Sequence, residues 1–448
     1  MNKPLKKLAA CLLVVAGLTT KAYAQWQNVG SPSFSEGLVF YTPLAFSPSG
    51  EPYVAYYDGG NLGKATVMKF DGTNWVNVGT PGFSAGEAHY TSLAFSPSGE
   101  PYVAYWDYGS SSRATVMKFD GTNWVNVGTP GFSAGQAPYT SLAFSPSGEP
   151  YVAYQDRANS YKTTVKKFDG TAWENVGAVG FSAGDVEFTS LVFSPSGEPY
   201  VAFTDWANSR KTTVMKFDGT SWVTVGTPGI SIGSIKYTSL AFGPSGKPYV
   251  AYSDNGNANK AAVKKFDGTA WENVGTEGFS EGWAEHTSLA FSPSGEPYVA
   301  FMDWANSRKA TVMKFNGTTW INVGIAGFSA VQADFTSLAF APNGEPYVAY
   351  KDNANNSHKA TVMKYETSMG ISEVGSQPKI AVYPNPTNGQ INFSMPANAQ
   401  LTNVAGQVVA NKTNTSSLDL TNLPSGVYFL TLTNDNRQII QRNKIVKE

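Results

Sequence analysis

Short segments of alternating apolar and polar residues fill residues 25–366, and none of this region has the spacing of an amphipathic helix. In one representative unit the predicted strands are 90–95, 102–106, 114–119 and 124–127, which we label A to D. A Ser-Pro-Ser-Gly-Glu-Pro segment joins A to B and Asp-Gly-Thr joins C to D, and both sequences favour tight turns. The pattern therefore predicts antiparallel sheets of four short strands.

This unit repeats every 49 residues. A tryptophan begins each strand D, and an aspartate ends each strand B. The tryptophans are Trp26, Trp75, Trp124, Trp173, Trp222, Trp271 and Trp320, and the aspartates are Asp58, Asp107, Asp156, Asp205, Asp254, Asp303 and Asp352. Seven such units are typical of a β-propeller, in which four-stranded sheets, called blades, pack face to face around an axis.

The phase of the repeat indicates how the ring closes. The repeat region starts with a strand D at Trp26 that no A, B or C strand precedes, and it finishes with A, B and C strands between Phe335 and Tyr365. We expect the Trp26 strand to pair with the strand containing Val362 and to complete the last blade. The predicted fold class is all-β: a seven-bladed β-propeller over residues 25–366, followed by a small C-terminal β-sandwich.

The N-terminal segment predicts export. It has a basic start, an apolar run from Leu8 to Leu18, and the small-residue ending Ala22-Tyr23-Ala24, which is the pattern of a signal peptide over residues 1–24. The only cysteine, Cys11, lies in this segment, so disulfides and zinc–thiolate sites are not expected in the mature chain. No later apolar run is long enough for a transmembrane helix.

A linker over residues 367–378 separates the repeats from a C-terminal domain at 379–448, whose alternating strands and turn residues predict the β-sandwich. This domain contains Tyr383-Pro-Asn-Pro386 and a basic end at Lys444–Lys447, and it resembles the C-terminal type A sorting domain of the type IX secretion system of Bacteroidota. The resemblance implies handling by that machinery and a secreted or outer-membrane surface location. The motif residues are Pro384, Asn385, Pro386, Gly389, Gly406, Gly426, Tyr428, Lys444 and Lys447.

Charge and motif content exclude several classes of function. The net charge is −1 and charged residues make up only 15%, so we expect no nucleic-acid partner. The three histidines occupy different loop positions, and no serine-hydrolase elbow or zinc-protease motif is present, so no catalytic residue or cofactor is assigned. The repeated aspartates are interpreted as turn residues that bond to backbone N–H groups, and no metal site is assigned.

The two ends of the propeller differ. The A–B and C–D turns lie on one end and are nearly identical in every unit, so we call that end the uniform face. The D–A and B–C loops lie on the other end and differ between units, so that end is the variable face. Aromatic rings beside polar groups suit sugar binding, because a ring packs on the C–H face of a pyranose. The candidate ligand-binding residues on the variable face are Trp106, Tyr108, Arg157, Trp206, Trp283 and Trp304.

These features predict a secreted or cell-surface binding module whose ligand is an extracellular glycan or protein. One alternative is a glycan-active hydrolase or lyase with an acidic site at the axial funnel, for example Glu87 with Asp185 or Glu187. Another alternative is a purely structural surface or adhesion protein, in which the blades provide a rigid disc.

Overall fold

The computed structural model describes residues 25–354, 358–366, 380–403, 407–433 and 439–448. The predicted signal peptide, the predicted linker and Gly406 lie outside these residues. One compact unit comprises Ala24–Thr367, and a second includes Ser368–Glu448. Both units are built from β-strands, which confirms the all-β prediction.

The first unit contains seven sheets, each with strands in the order A-B-C-D. Strands A are Val39–Phe40 with Leu44–Phe46, Ala88–Phe95, Ser141–Phe144, Val186–Phe193, Ile235–Phe242, Ala284–Phe291 and Ala333–Phe340. Strands B are Pro52–Asp58, Pro101–Asp107, Pro150–Asp156, Pro199–Asp205, Pro248–Asp254, Pro297–Asp303 and Pro346–Asp352. Strands C are Lys64–Phe70, Arg113–Phe119, Lys162–Phe168, Lys211–Phe217, Lys260–Phe266, Lys309–Phe315 and Lys359–Glu366. Strands D of blades 1 to 6 are Trp75–Asn77, Trp124–Asn126, Trp173–Asn175, Trp222–Thr224, Trp271–Asn273 and Trp320–Asn322.

The N-terminal strand Gln25–Asn28 is strand D of blade 7. Trp26 lies opposite Tyr365 in the antiparallel ladder, and the Val29 N–H donates to the Val362 carbonyl at 2.9 Å. The last blade is therefore completed by the first segment of the repeat region, and the predicted closure is confirmed.

Strand-D tryptophans hold neighbouring blades together. Each indole N–H donates to the carbonyl of the valine that follows strand D of the preceding blade, at 2.6–2.8 Å. Six of the seven indoles also stack on a phenylalanine, with ring centroids 4.0–4.3 Å apart. The exception is Trp271 in blade 5, where Ile230 occupies the phenylalanine position. Each blade thus contributes one buried hydrogen bond and one apolar contact to its neighbour.

The repeated aspartates organise the B–C loops. All seven are buried, and within the described residues six of them cap a short 3₁₀ helix. In blade 4, Asp205 accepts the Ala207 N–H at 3.1 Å, the Asn208 amide at 2.7 Å and the Thr213 hydroxyl at 2.8 Å. Their carboxylate oxygens therefore hold the loops in place, as the turn interpretation predicted. The 3₁₀ helices are Gly59–Asn61, Tyr108–Ser110, Arg157–Asn159, Trp206–Asn208, Asn255–Asn257 and Trp304–Asn306.

The C-terminal unit is a five-stranded sheet around its own apolar core. Register shifts interrupt the longest strand, and such irregularities let a strand bend around a core. The core includes Ile391, Leu401 and Leu430, all fully buried. A C-terminal β domain, as predicted, is therefore present. Its strands are Val382–Tyr383, Gln390–Asn403, Val408–Asp419, Gly426–Thr433 and Ile439–Lys447.

The motif residues of this domain have structural roles. The Asn385 side chain donates to the Lys444 carbonyl at 2.6 Å and accepts the Val446 N–H at 2.9 Å, so it ties the Pro-Asn-Pro segment to the last strand. Tyr428 is buried and donates its hydroxyl to Pro424, while the Lys447 ammonium donates to the Leu423 carbonyl at 2.6 Å. The two ends of the sequence motif thus meet through hydrogen bonds.

Candidate binding funnel on the variable face

A closed ring of seven aromatic side chains surrounds the propeller axis. Each blade contributes one residue, which lies in the first half of inner strand A in five blades, between the two parts of strand A in blade 1 and just before strand A in blade 3. Each ring contacts the next with centroids 4.5–5.1 Å apart. The seventh ring, Phe335, contacts the first, Tyr41, at 5.1 Å. We call these residues the axial floor. They are Tyr41, Tyr90, Tyr139, Phe188, Tyr237, His286 and Phe335.

The backbone of every floor residue is in the left-handed region, with φ between 50° and 58°. Residues other than glycine rarely adopt this conformation, and the cost is of the order of 1–3 kcal/mol each. Hydrogen bonds between blades fix it: the Thr42 hydroxyl donates to the Phe335 carbonyl at 2.6 Å, and the Leu44 N–H donates to the Ser337 hydroxyl at 3.0 Å. Strain of this kind is concentrated at functional sites, so the floor is a candidate site.

The floor is neutral and half-buried. Burial is the main cause that raises the pKa of Tyr41, and the same holds for Tyr139 and Tyr237. The negative charges of Glu285 and Asp334 raise the pKa of Tyr237 further. These phenols therefore stay protonated at neutral pH and can donate hydrogen bonds.

The residue that precedes each floor aromatic forms a wall around the floor. The wall residue varies between blades: it is aromatic in blades 1 and 2 and charged in blades 4 to 7. The floor and the wall together are called the funnel. The wall residues are Phe40, His89, Pro138, Glu187, Lys236, Glu285 and Asp334.

Three of the predicted ligand-binding residues lie together beside the aromatic part of the wall. Tyr108 contacts His89 with ring centroids 4.8 Å apart and Trp106 at 4.9 Å, and the Arg157 guanidinium lies 5.3 Å from the Trp106 centroid. The expectation of an exposed ring is wrong for Trp106, which is only 9% exposed and donates its indole N–H to Ser112. The residue before the aspartate points into the blade, so Trp106 packs beneath Tyr108 and is not itself on the surface. Tyr108, which is 46% exposed, is the ring that a ligand can contact.

The other three predicted residues lie at two further places on the variable face. Trp283 and Trp304 form an exposed pair in blade 6, with centroids 5.0 Å apart and the Arg308 guanidinium 3.9 Å from Trp304. Trp206 in blade 4 is 42% exposed and packs on Arg210 at 3.5 Å. The six predicted residues therefore do not converge on one site.

The charged part of the wall contains a buried ion pair. The Lys351 ammonium lies 3.2 Å from Asp334, which also accepts hydrogen bonds from Gln332 at 2.8 Å and Asn353 at 3.0 Å. Burial alone would raise the pKa of Asp334, but these partners outweigh it and lower the pKa. Burial lowers the pKa of the neighbouring His286 to about 4. At neutral pH the carboxylate is therefore ionised and the imidazole is uncharged.

The carboxylates considered for catalysis lie in different blades. Glu87 is in blade 2, where it contacts the His89 ring nitrogen at 3.1 Å, and Asp185 and Glu187 are in blade 4. Across the part of the chain that the structure describes, no three histidine, aspartate or glutamate side chains are grouped closely enough to hold a metal ion.

The floor residues were missed by sequence reasoning, although they carry a signal. Each floor residue directly precedes a threonine and recurs at the 49-residue interval. In the sequence an aromatic residue in a strand indicates core packing, and only the closure of the ring brings the seven side chains together.

Comparison with known families and structures supports the two parts of the chain separately. The family described as the secretion system C-terminal sorting domain matches residues 381–448. No curated protein matches the sequence. An ulvan lyase, a polysaccharide lyase solved with a bound GlcA(1-4)Rha3S saccharide, has a TM-score of 0.51 and 11% identity over 75% of this chain and 95% of its own.

Two further solved structures match this chain with lower TM-scores. A protein of unknown function from Dyadobacter fermentans has a TM-score of 0.46 and 13% identity over 76% of this chain and 97% of its own. The SapL1 lectin, solved with α-methyl fucoside, has a TM-score of 0.44 and 17% identity over 66% of this chain and 99% of its own. At 11% identity, the similarity to the ulvan lyase shows the fold alone.

Among the described residues, no helix has the length and apolar composition that a membrane span requires. The family match agrees with the motif residues and their hydrogen bonds in the C-terminal unit. Residues 381–448 are therefore a type IX C-terminal sorting domain, handled by that secretion machinery, and the protein is secreted or placed on the cell surface.

Proposed function

We propose that the protein binds an extracellular glycan through the funnel and the adjoining Tyr108–Arg157 surface. The observation that carries this proposal is the closed, strained ring of half-exposed aromatic residues at the axis, next to an exposed tyrosine and an arginine. A protein of this kind would act outside the cell, which is where the sorting domain directs it.

The chemistry of the funnel suits a saccharide. Aromatic faces pack against the C–H face of a sugar ring, and a few well-placed polar groups fix the hydroxyls. The floor supplies neutral aromatic faces and phenol donors, while Glu187, Lys236 and Arg157 supply charged partners at the edge. Since the wall is aromatic on one side and charged on the other, a bound sugar has one preferred orientation.

A glycan array and a polysaccharide pull-down with the full chain test this proposal. We expect the double variant Tyr108→Ala/Arg157→Ala to lower the affinity for the bound glycan at least about tenfold, because a change of about 1.4 kcal/mol corresponds to a factor of ten. Trp206→Ala is the matched control, because this exposed ring also packs on an arginine but lies apart from Tyr108. The proposal fails if no glycan binds, or if the double variant binds as tightly as the unchanged protein.

A second function, glycan cleavage, has one observation in its favour. Glu285 and Asp334 occupy the same wall position in the adjacent blades 6 and 7, and glycoside hydrolysis needs two carboxylates that flank the bond. With its lowered pKa, Asp334 would serve as a base or nucleophile rather than as the acid. Incubation of the bound polysaccharide would release new reducing ends or unsaturated sugars, and Glu285→Gln would stop this release. Unchanged polymer after prolonged incubation would leave binding as the function.

A further inference from the structure

Clefts lie between neighbouring blades on the uniform face, opposite the funnel. One cleft of about 460 Å³ lies between blades 5 and 6, and one of about 380 Å³ lies at the equivalent place between blades 3 and 4. We call them junction clefts. The cleft between blades 3 and 4 is lined by Tyr151, Lys167 and Asn175 of one blade and by Glu198 and Phe217 of the next.

The lining residue types recur around the ring. Tyrosine, lysine, asparagine, glutamate and phenylalanine occupy these five positions at five of the seven junctions. Two junctions depart from this set. Tyr365 replaces the phenylalanine at the junction of blades 6 and 7. Thr224 replaces the asparagine, and Lys247 the glutamate, at the junction of blades 4 and 5. All blades repeat the same unit, yet the variable face has diverged and these positions have not. A constraint therefore acts on the junction clefts.

Folding alone does not account for the asparagine. Asn77, Asn126 and Asn175 are exposed, and their side chains make no hydrogen bond within the described part of the chain. Their backbone groups pair normally in strand D, and this pairing does not require an asparagine side chain. The amides of these three residues are thus free to donate to and accept from a ligand in the cleft, whereas the Asn273 side chain at the junction of blades 5 and 6 is bonded to Lys264 at 2.6 Å and to Glu277 at 3.0 Å.

The charged groups of the junction clefts are largely neutralised within each blade. Lys167 lies 3.2 Å from Glu149, and Lys216 lies 2.8 Å from Glu198. These pairs span strand C and the A–B turn of one blade, so each cleft presents one paired ammonium and one paired carboxylate. A strongly charged ligand would have to displace an existing partner, whereas a neutral ligand with hydroxyl groups would not.

We propose that the junction clefts form a second, repeated binding site in which each cleft takes one neutral hexopyranose unit. The volumes of about 380–460 Å³ lie in the range of small-molecule sites. The phenylalanine, tyrosine and proline rings provide the apolar wall, and the free amide with the paired carboxylate binds hydroxyls. Several weak sites on one rigid disc bind a polymer with high avidity. This proposal does not depend on the function of the funnel.

Equilibrium dialysis of the full chain against radiolabelled methyl α- and β-glycosides of glucose, galactose and mannose tests the proposal. We expect at least one of these probes to bind with about four equivalents per chain, one for each junction that has the complete set of residues and an asparagine side chain not bonded within the described residues. The triple variant Asn77→Ala/Asn126→Ala/Asn175→Ala should lose about three equivalents with an unchanged melting temperature, since these side chains are exposed and unbonded.

A gain of binding provides the sharper control. Thr224→Asn with Lys247→Glu restores the missing residues at the junction of blades 4 and 5 and should add one equivalent. Tyr108→Ala, on the opposite face, should remove at most the one equivalent that the funnel binds and leave those of the junction clefts, so failure of the funnel proposal and failure of this one are distinguishable. The proposal is overturned if none of the six glycosides binds, if only one equivalent binds and Tyr108→Ala removes it, or if the asparagine variants keep every equivalent.

Discussion

Two tryptophans on the B–C side of the blades have different environments, and this difference predicts different costs of removal. Trp106 is buried and its indole N–H is bonded to Ser112, whereas Trp206 is 42% exposed and packs only on Arg210. Trp106→Ala should therefore lower the free energy of unfolding by about 3–5 kcal/mol, the usual cost for a buried aromatic residue. Trp206→Ala should change it by about 1 kcal/mol or less. Urea unfolding followed by fluorescence measures both values, and equal losses would contradict the burial assigned here.

Side-chain direction is the part of the candidate site that the sequence could not provide. Trp106 lies directly before the repeated aspartate, inside strand B, whereas Trp206 lies directly after it, in the 3₁₀ helix that follows the strand end, so the two side chains do not share the strand geometry. The exact strand end was not predictable to that precision. The floor residues posed another difficulty, because Tyr41 and Phe335 meet only after the ring has closed.

His286 predicts a stability change at mildly acidic pH. Burial lowers its pKa from an ordinary value of 6.5 to about 4, so between these values the unfolded chain binds a proton that the folded chain does not. Stability that is fully present above pH 6.5 is therefore lost as the pH falls toward 4, by roughly 1–3 kcal/mol. Thermal melts at pH 7 and pH 4.5 should show this loss.

The repeat itself provides the control for His286. Phe188 and Phe335 occupy the same position in blades 4 and 7, so His286→Phe keeps an aromatic ring in the floor without a titrating group. The melting temperature of this variant should fall less between pH 7 and pH 4.5 than that of the unchanged protein. Identical pH dependence in the two proteins would assign the acid sensitivity to the carboxylates, including Asp334 with its lowered pKa.

At the scale of the strands, the packing between blades is regular enough for a stabilising change to be predicted. Six strand-D tryptophans stack on a phenylalanine, but Trp271 meets Ile230 instead. Ile230→Phe should complete this stack and raise the melting temperature, because aromatic pairs contribute about 0.5–1.5 kcal/mol beyond their buried area. The reverse change in blade 3, Phe132→Ile, removes a stack of 4.1 Å and should lower the melting temperature. Changes of the same sign in both variants would show that stacking does not determine the strength of this contact.

Strand order and turn positions were predictable because each blade repeats the same apolar alternation and the same turn residues. The bend in strand A was not predictable, since the register shift between His89 and Ser92 has no turn residue or glycine to mark it. The predicted strand in that blade began at Tyr90, two residues after the observed start at Ala88. Those two residues matter, because the shift gives Tyr90 its left-handed backbone and directs its ring to the axis.

At the scale of the whole molecule, closure of the ring was predictable from the phase of the repeat. The sequence alone shows that strand D of the last blade is missing at one end and present at the other. The two proposed binding surfaces were not equally predictable. The variable face was identified from the differences between the repeats. The junction clefts on the uniform face were not, because they form only where one blade packs against the next.

Closure through the N-terminal strand predicts that this strand can be removed and supplied again. Without residues 25–34 the strand Lys359–Glu366 becomes an exposed sheet edge, and the Trp26 contacts to Val323 and Phe328 are lost. The truncated chain should melt at a lower temperature and aggregate, with about 3–5 kcal/mol lost from Trp26 alone.

A synthetic peptide of residues 25–34 should bind the truncated chain and restore its melting temperature, because the four paired residues and the indole contact all belong to this segment. The same peptide carrying Trp26→Ala keeps the backbone ladder but lacks the side chain that joins blade 7 to blade 6, so it should restore much less. If the truncated chain melted as the intact protein does, the ring would be held by the other six junctions and the N-terminal strand would not be its closure.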